Sequence, residues 1–122
     1  MPGMNQDSAA PIPIVFYRTA AGGEPVREWL KGLDEADRRR VGQDLQRVQF
    51  RFPIGMPLCR ALGEGMWEVR TQLSSNRIAR VLFFKHGAEL VAVNGFIKKS
   101  QATSKEELRL AIGRKKEVES GA

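Results

Sequence analysis

Trp67-Glu68-Val69-Arg70-Thr71-Gln72-Leu73 is the stretch that decides the fold. Apolar or β-branched residues at the odd positions alternate with polar ones at the even positions, the period-two pattern of a half-buried strand. Ser74-Ser75-Asn76 follows as a turn. Ile78 to Lys85 is then mainly apolar, with Arg80 set into it. A second turn, Lys85-His86-Gly87-Ala88, leads into Leu90–Ile97, which is apolar on both faces and so reads as a central strand. Three such strands joined by short turns predict an antiparallel meander.

Upstream, Ile14-Val15-Phe16-Tyr17 is β-prone and bounded by Pro13 and by Ala-Gly-Gly, which predicts a first strand. Pro25 suits a first helical position, Val26, Trp29 and Leu30 recur at helical spacing, and Gly32 stops the turn. Asp34 is placed to cap a second helix, with Glu35 and Asp37 in its first turn where the helix dipole favours carboxylates. Val41, Leu45, Val48 and Phe52 form its apolar stripe, and Pro53 ends it. The Pro, Gly and Met content of Ile54 to Gly65 predicts a loop. Thr103 with Glu106 reads as a capping box opening a last helix, on which Leu108, Ala111 and Ile112 share a face. The expected order is β-α-α-β-β-β-α. This is an α+β layer fold: a small antiparallel sheet, with the N-terminal helical hairpin and the other helix packed on one face. Residues 1–13 are expected to be a flexible leader, 14–117 the folded domain, and 118–122 a flexible tail.

The 122 residues suffice for one domain with a real core. A lone cysteine, Cys59, excludes an intramolecular disulfide and suits a reducing cytoplasm. One cysteine and one histidine, His86, argue against a protein-only zinc site, and no cofactor is expected. No apolar run approaches bilayer length, and the N-terminus lacks the pattern of a secretion signal, so no membrane partner is expected. The net charge of +6 points to a polyanion. From Met66 to Gln101 the basic residues Arg70, Arg77, Arg80, Lys85, Lys98 and Lys99 face only Glu68 and Glu89.

If Arg80 shares a face with Glu68, Arg70 and Gln72, two guanidiniums and a carboxylate meet on one sheet surface. Lys98 and Lys99 end the last strand with side chains on opposite faces, so only one can join them. Such a group could cradle a phosphate and stabilise charge developing on it. The same residues equally suit a solvated sheet face on which Glu68 pairs with Arg70 or Arg80. Arg80 is the most informative residue, because a charge inside an apolar run is costly unless paired or used. Arg38, Arg39, Arg77 and Lys85 are the further candidates for contact with RNA. His86 reads as a turn residue, and Trp29 and Trp67 as core.

Leu62 to Arg70, Arg80-Val81-Leu82-Phe83-Phe84, Gly95 to Thr103, and a helix with Ala111 and Arg114 together resemble the phage-derived Gp49-like, HigB-type branch of the RelE/ParE toxin superfamily. The resemblance spans residues 14 to 117. It implies a RelE-like fold and the toxin of a type II toxin–antitoxin pair, neutralised by a helix-turn-helix antitoxin. The implied activity is ribosome-dependent mRNA cleavage by attack of the 2′-hydroxyl on the adjacent phosphate. Arg70, Arg80 and Lys99 would then stabilise the phosphorane, with Lys98 or Glu68 handling protons. Several relatives carry a Tyr or His after the last strand, and this chain has neither there. The proton work falls instead to a lysine, to Glu68 or to the ribosome. Two alternatives remain: a gyrase inhibitor on the same scaffold, and a non-catalytic module binding RNA or ribosomes.

Overall fold

The structure, a computed structural model, describes residues 10–99 and 102–121. Its elements are β1 (Ile14–Phe16), α1 (Pro25–Gly32), α2 (Glu35–Arg51), β2 (Cys59–Gly63), β3 (Met66–Gln72), β4 (Ile78–His86), β5 (Glu89–Lys98) and α3 (Lys105–Glu119). They form one five-stranded sheet in the order β1-β5-β4-β3-β2. The meander β3-β4-β5 is antiparallel as its alternation predicts, and β5 lies inside the sheet as its two apolar faces require.

The expected architecture needs three corrections. The segment read as a loop contains β2, a fifth strand paired antiparallel with β3. Its Pro- and Gly-rich flanks obscured a strand of only five residues. The sheet is mixed rather than antiparallel, because β1 runs parallel to β5 with Val15 opposite Val91. The helices also cover both faces. Val26 of α1 and Val41, Leu45 and Val48 of α2 join Val69, Leu73, Ala79, Val81 and Phe83 in one cluster. Ala111 of α3 joins Met66, Leu82, Phe84, Val91 and Val93 on the opposite face. Each fully buried aliphatic or phenyl side chain contributes about 1.5–3 kcal/mol.

Asp34 caps α2 as expected, its Oδ1 accepting from Asp37 N at 2.9 Å. α3 begins one residue later than expected. Ser104, not Thr103, is its cap, accepting from Glu107 N at 3.2 Å, so there is no Thr103–Glu106 box. The helix runs to Glu119, two residues past the expected boundary at 117. Of the expected leader, residues 1–9 lie outside the described residues. Ile12 packs on the core and donates its N–H to Gln49 O at 2.8 Å, and Pro13 O accepts from Leu90 N at 2.9 Å. Ala122 also lies outside the described part, as do Ser100 and Gln101 of the last-strand motif.

An irregularity in β5 positions everything downstream. Phe83 pairs with Ala92 but Leu82 pairs with Asn94, leaving Val93 as an extra residue. The bulge brings Val93 and Asn94 to the α3 side of the sheet. Val93 O accepts from Arg114 Nη1 at 2.8 Å, and Asn94 Nδ2 donates to Glu107 O and Oε1 at 3.1 and 3.0 Å. α3 is therefore bolted to the bulge by polar contacts at both ends of its buried stretch.

On the α1 side, β5 passes under Trp29 at Gly95, where a Cβ would lie 2.5 Å from Trp29 Cε3. Gly95→Ala is expected to destabilise the fold by about 1–3 kcal/mol through overpacking. The urea midpoint measures this, and an unchanged midpoint would mean that the indole gives way.

Candidate functional site

The β3–β4 register puts Arg70 directly opposite Arg80, and the β4–β5 register puts Arg80 opposite Phe96 and Ile78 opposite Lys98. Residues directly opposite or two apart share a face. Glu68, Arg70, Arg80 and Lys98 therefore all lie on the α3 side of the sheet. Lys99 lies one residue past the strand and is exposed. The register also brings in Arg60 of β2, opposite Glu68 and exposed, which the loop reading missed.

This face is not an open solvated surface. Glu68 and Arg80 have no exposed side-chain area, and Arg70 retains 12%. Arg80 Nη1 lies 4.0 Å from Glu68 Oε2, and the Thr103 hydroxyl bridges the two. It accepts from Arg80 Nη1 at 3.3 Å and donates to Glu68 Oε2. A hydroxyl can do both at once. Glu68 Oε1 accepts no hydrogen bond among the described residues, and Arg70 Nε stands 3.8 Å from it. Burial lowers the Arg80 pKa, Glu68 raises it again, and Arg70 and Arg60 add to the lowering. An arginine nonetheless keeps its charge at every physiological pH. Thr103 escaped the sequence reading because its place ahead of Glu106 made it look like a cap.

Lys98 is one-third exposed, with its Nζ 3.9 Å from Glu107 Oε2 and 5.3 Å from the Phe96 ring centroid. The candidates for RNA contact away from this cluster have other engagements. Arg77 holds Asp37 through two hydrogen bonds, at 2.7 and 3.1 Å, and Ser74 through two more. Arg38 Nη1 donates to Lys31 O and Leu33 O at the end of α1, and Arg39 pairs with Glu35 one helical turn away. Lys85 Nζ donates to Gly87 O in its own hairpin at 2.7 Å. None of the four joins the Glu68–Arg80 cluster. Tyr17 is not a proton-transfer candidate for this site. It donates to Glu117 Oε1 at 2.6 Å and sits beside Ala92, six residues and roughly 20 Å of strand from Lys98. Cys59 is buried, and its thiol is pushed up to about 11 by burial and by Asp44. It is therefore unreactive at neutral pH.

Beside the cluster, β3 outlasts its partner: β2 pairs only up to Val69. A cleft of about 580 Å³ opens there between α2 and the end of β3, where Arg70 N donates to Leu58 O at 2.9 Å. Arg70 lines it together with Arg40, Asp44 and Arg47. Among the described residues, no group of three or more His, Cys, Asp or Glu could hold a metal ion, and no helix is long and apolar enough to cross a membrane.

A small α+β protein with helices on both faces of one mixed sheet and a basic sheet site on a buried ion pair is the class these features define. The phage-derived Gp49-like family (DUF891) matches residues 28–116, and the chain belongs to that family. The family is part of the RelE/ParE-like toxin superfamily, whose members often act as ribonucleases. Membership suggests a toxin of a toxin–antitoxin pair, with an antitoxin as partner. No curated protein matches the chain.

Two predictions follow from the charges. Arg80→Ala leaves Glu68 buried without its cation and is expected to cost about 3–5 kcal/mol. The double variant Glu68→Leu/Arg80→Met should regain most of that loss, and equal chemical-denaturation midpoints for the single and double variants would contradict the buried-pair account. The Arg77 hydrogen bonds hold the Asp37 carboxyl below its ordinary 3.8, against the opposite push of burial. A depressed carboxyl stabilises the fold above its unfolded-state pKa, and that contribution disappears as pH falls through the folded-state value. Asp37→Asn should therefore lower the urea midpoint at pH 7, and its deficit should shrink as pH drops below about 4.

Proposed function

We propose that the protein is a HigB-type toxin with a RelE-like fold, and that it is a ribosome-dependent mRNA endoribonuclease acting in the cytoplasm. The observation that carries this reading is the buried Glu68–Arg80 pair, bridged by Thr103, with the 12% exposed Arg70 side chain beside it on the face that also bears Lys98. In the proposed reaction the 2′-oxygen of one nucleotide bonds to the adjacent phosphorus while the bond to the 5′-oxygen breaks. A cyclic phosphate and a 5′-hydroxyl result. Negative charge grows on the non-bridging oxygens as the phosphorane forms, and fixed cations there lower the barrier. Arg70 offers a planar fork to those oxygens, and Lys98 a point charge.

Burial changes the roles given to the other residues. Arg80 and Glu68 have no surface to offer a substrate, so they act by orienting Arg70. Glu68, bound by Thr103, gives up the proton-transfer role to Lys98, which can protonate the departing 5′-oxygen. The 2′-proton passes to a ribosomal group. Lys98 takes precedence over Lys99 at the phosphate because the register sets it on the Arg70 face. The antitoxin would be a helix-turn-helix protein. The complete burial of two of the five proposed site residues favours one alternative, a non-catalytic module that binds RNA or ribosomes.

Induction in cells lacking the antitoxin, with mRNA 5′ ends mapped, separates these readings. Wild type should generate new 5′ ends within translated messages. Arg70→Ala should lower their yield about 10²-fold or more, the scale of losing one oxyanion donor. Lys98→Ala should lose more than Lys99→Ala. Growth arrest with intact mRNA would reject the nuclease reading, and accompanying double-strand DNA breaks would indicate gyrase as the target.

A further inference from the structure

The cleft beside β3 carries an inference about how the substrate is held, and it rests on the nuclease reading above. Three arginines line it, Arg40 and Arg47 from α2 and Arg70 from β3. Arg40 and Arg47 are about two helical turns apart, separated by about 10 Å along the α2 axis at 1.5 Å per residue. The one carboxylate in the lining, Asp44, is already engaged: Arg47 Nη1 donates to its Oδ1 at 2.9 Å and Thr71 Oγ1 to its Oδ2 at 2.8 Å. Three arginines against one carboxylate leave the cleft cationic on balance, with Arg47 already sharing its charge with Asp44.

Its other components suit a nucleotide better than a bare anion. Met56, Pro57 and Leu58 form an apolar wall, with Met56 62% exposed. Such a surface can cover the face of a base. Gln43 and Gln72 add amides that both donate and accept hydrogen bonds. The volume of about 580 Å³ falls within the range of sites that enclose a small ligand.

We infer that this cleft is the binding track for single-stranded RNA next to the scissile phosphate, with Arg40 and Arg47 holding flanking phosphates and Met56-Pro57-Leu58 packing against a base. Arg70 belongs to both the cleft and the Glu68–Arg80 cluster, so a strand seated in the cleft delivers a neighbouring phosphate to the sheet site. The amides of Gln43 and Gln72 are the groups that could read a base edge.

The test uses the full chain and a fluorescein-labelled 12-nucleotide single-stranded RNA, with binding followed by anisotropy across a salt series. The variants are Arg40→Ala/Arg47→Ala and, as a charge-matched control toward the opposite edge of the sheet, Arg18→Ala/Arg27→Ala. All four side chains are exposed. Surface substitutions of this kind leave the fold intact, and a thermal melt checks it. The cleft variant should bind about tenfold or more weakly at 0.1 M salt. Its slope of log K against log salt should fall by about 1.4, at roughly 0.7 per lost single-strand phosphate contact. The control should keep the wild-type slope. mRNA 5′-end mapping in a translating extract runs in parallel. Wild-type binding and cleavage with an unchanged slope in the cleft variant overturns the track and leaves the nuclease reading standing. Equal losses in variant and control, or tighter capture of a 12-residue poly-glutamate peptide than of the RNA, also overturns the track. Failure of the wild type both to bind and to cleave overturns the track together with the nuclease reading.

Discussion

Glu68 and Arg80 lie on adjacent strands with no exposed surface, and removing either ion from water costs several kcal/mol that pairing and hydrogen bonding must offset. The pair therefore constrains more than its own two residues. It requires the β3–β4 register as found, because a slip of one residue would turn Arg80 into the α1–α2 core. It also requires a hydroxyl between the two charges, which takes Thr103 away from the helix and moves the cap of α3 to Ser104. The start of α3, and with it the cover over this face of the sheet, follows from satisfying one buried ion pair.

The bulge at Val93 is the second constraint. Without the extra residue, strict alternation from Ala92 would carry Asn94, Phe96 and Lys98 to the α1 side. With it, Asn94 and the Val93 carbonyl meet Glu107 and Arg114 of α3, and Lys98 falls on the face of Arg70 and Arg80. One local irregularity thus docks a helix and selects which of two consecutive lysines shares the basic face. Gly95 belongs to the same device, letting the strand pass under Trp29 immediately after the bulge.

Those constraints mark the boundary of what was legible in the sequence. The strands of the meander, both N-terminal helices and the Asp34 cap showed through because their signals are local: alternation, helical spacing and a cap residue at the right offset. The shared face of Glu68, Arg70 and Arg80 followed from period two and a short turn. β2 did not show, because Cys59-Arg60-Ala61-Leu62-Gly63 is too short to display a period between its Pro- and Gly-rich neighbours. Its partner is fixed by pairing rather than by its own composition. The sequence reading favoured Lys99 over Lys98, because the register it assumed lacked the bulge at Val93-Asn94, whose neighbour Gly95 was the one local sign of it. Thr103 was misread for a different reason: a threonine before a helix satisfies the cap rule, and only the buried pair competing for its hydroxyl decides otherwise.

Arg70 joins the interior of the molecule to its surface. Its Nε faces a buried carboxylate oxygen at 3.8 Å, and the residue also lines the cleft whose other cations come from α2. A lysine could supply the charge but not the geometry, since a guanidinium can turn one edge to Glu68 and present another outward. The arrangement separates two jobs that a cluster of surface lysines would merge. Buried residues that never meet a substrate fix the direction of one cation, and exposed residues on a neighbouring helix provide attraction without needing fixed positions. In the proposed nuclease, damage to the first group would appear as lost chemistry and lost stability together, whereas damage to the second would appear as weakened, salt-dependent binding by a folded protein.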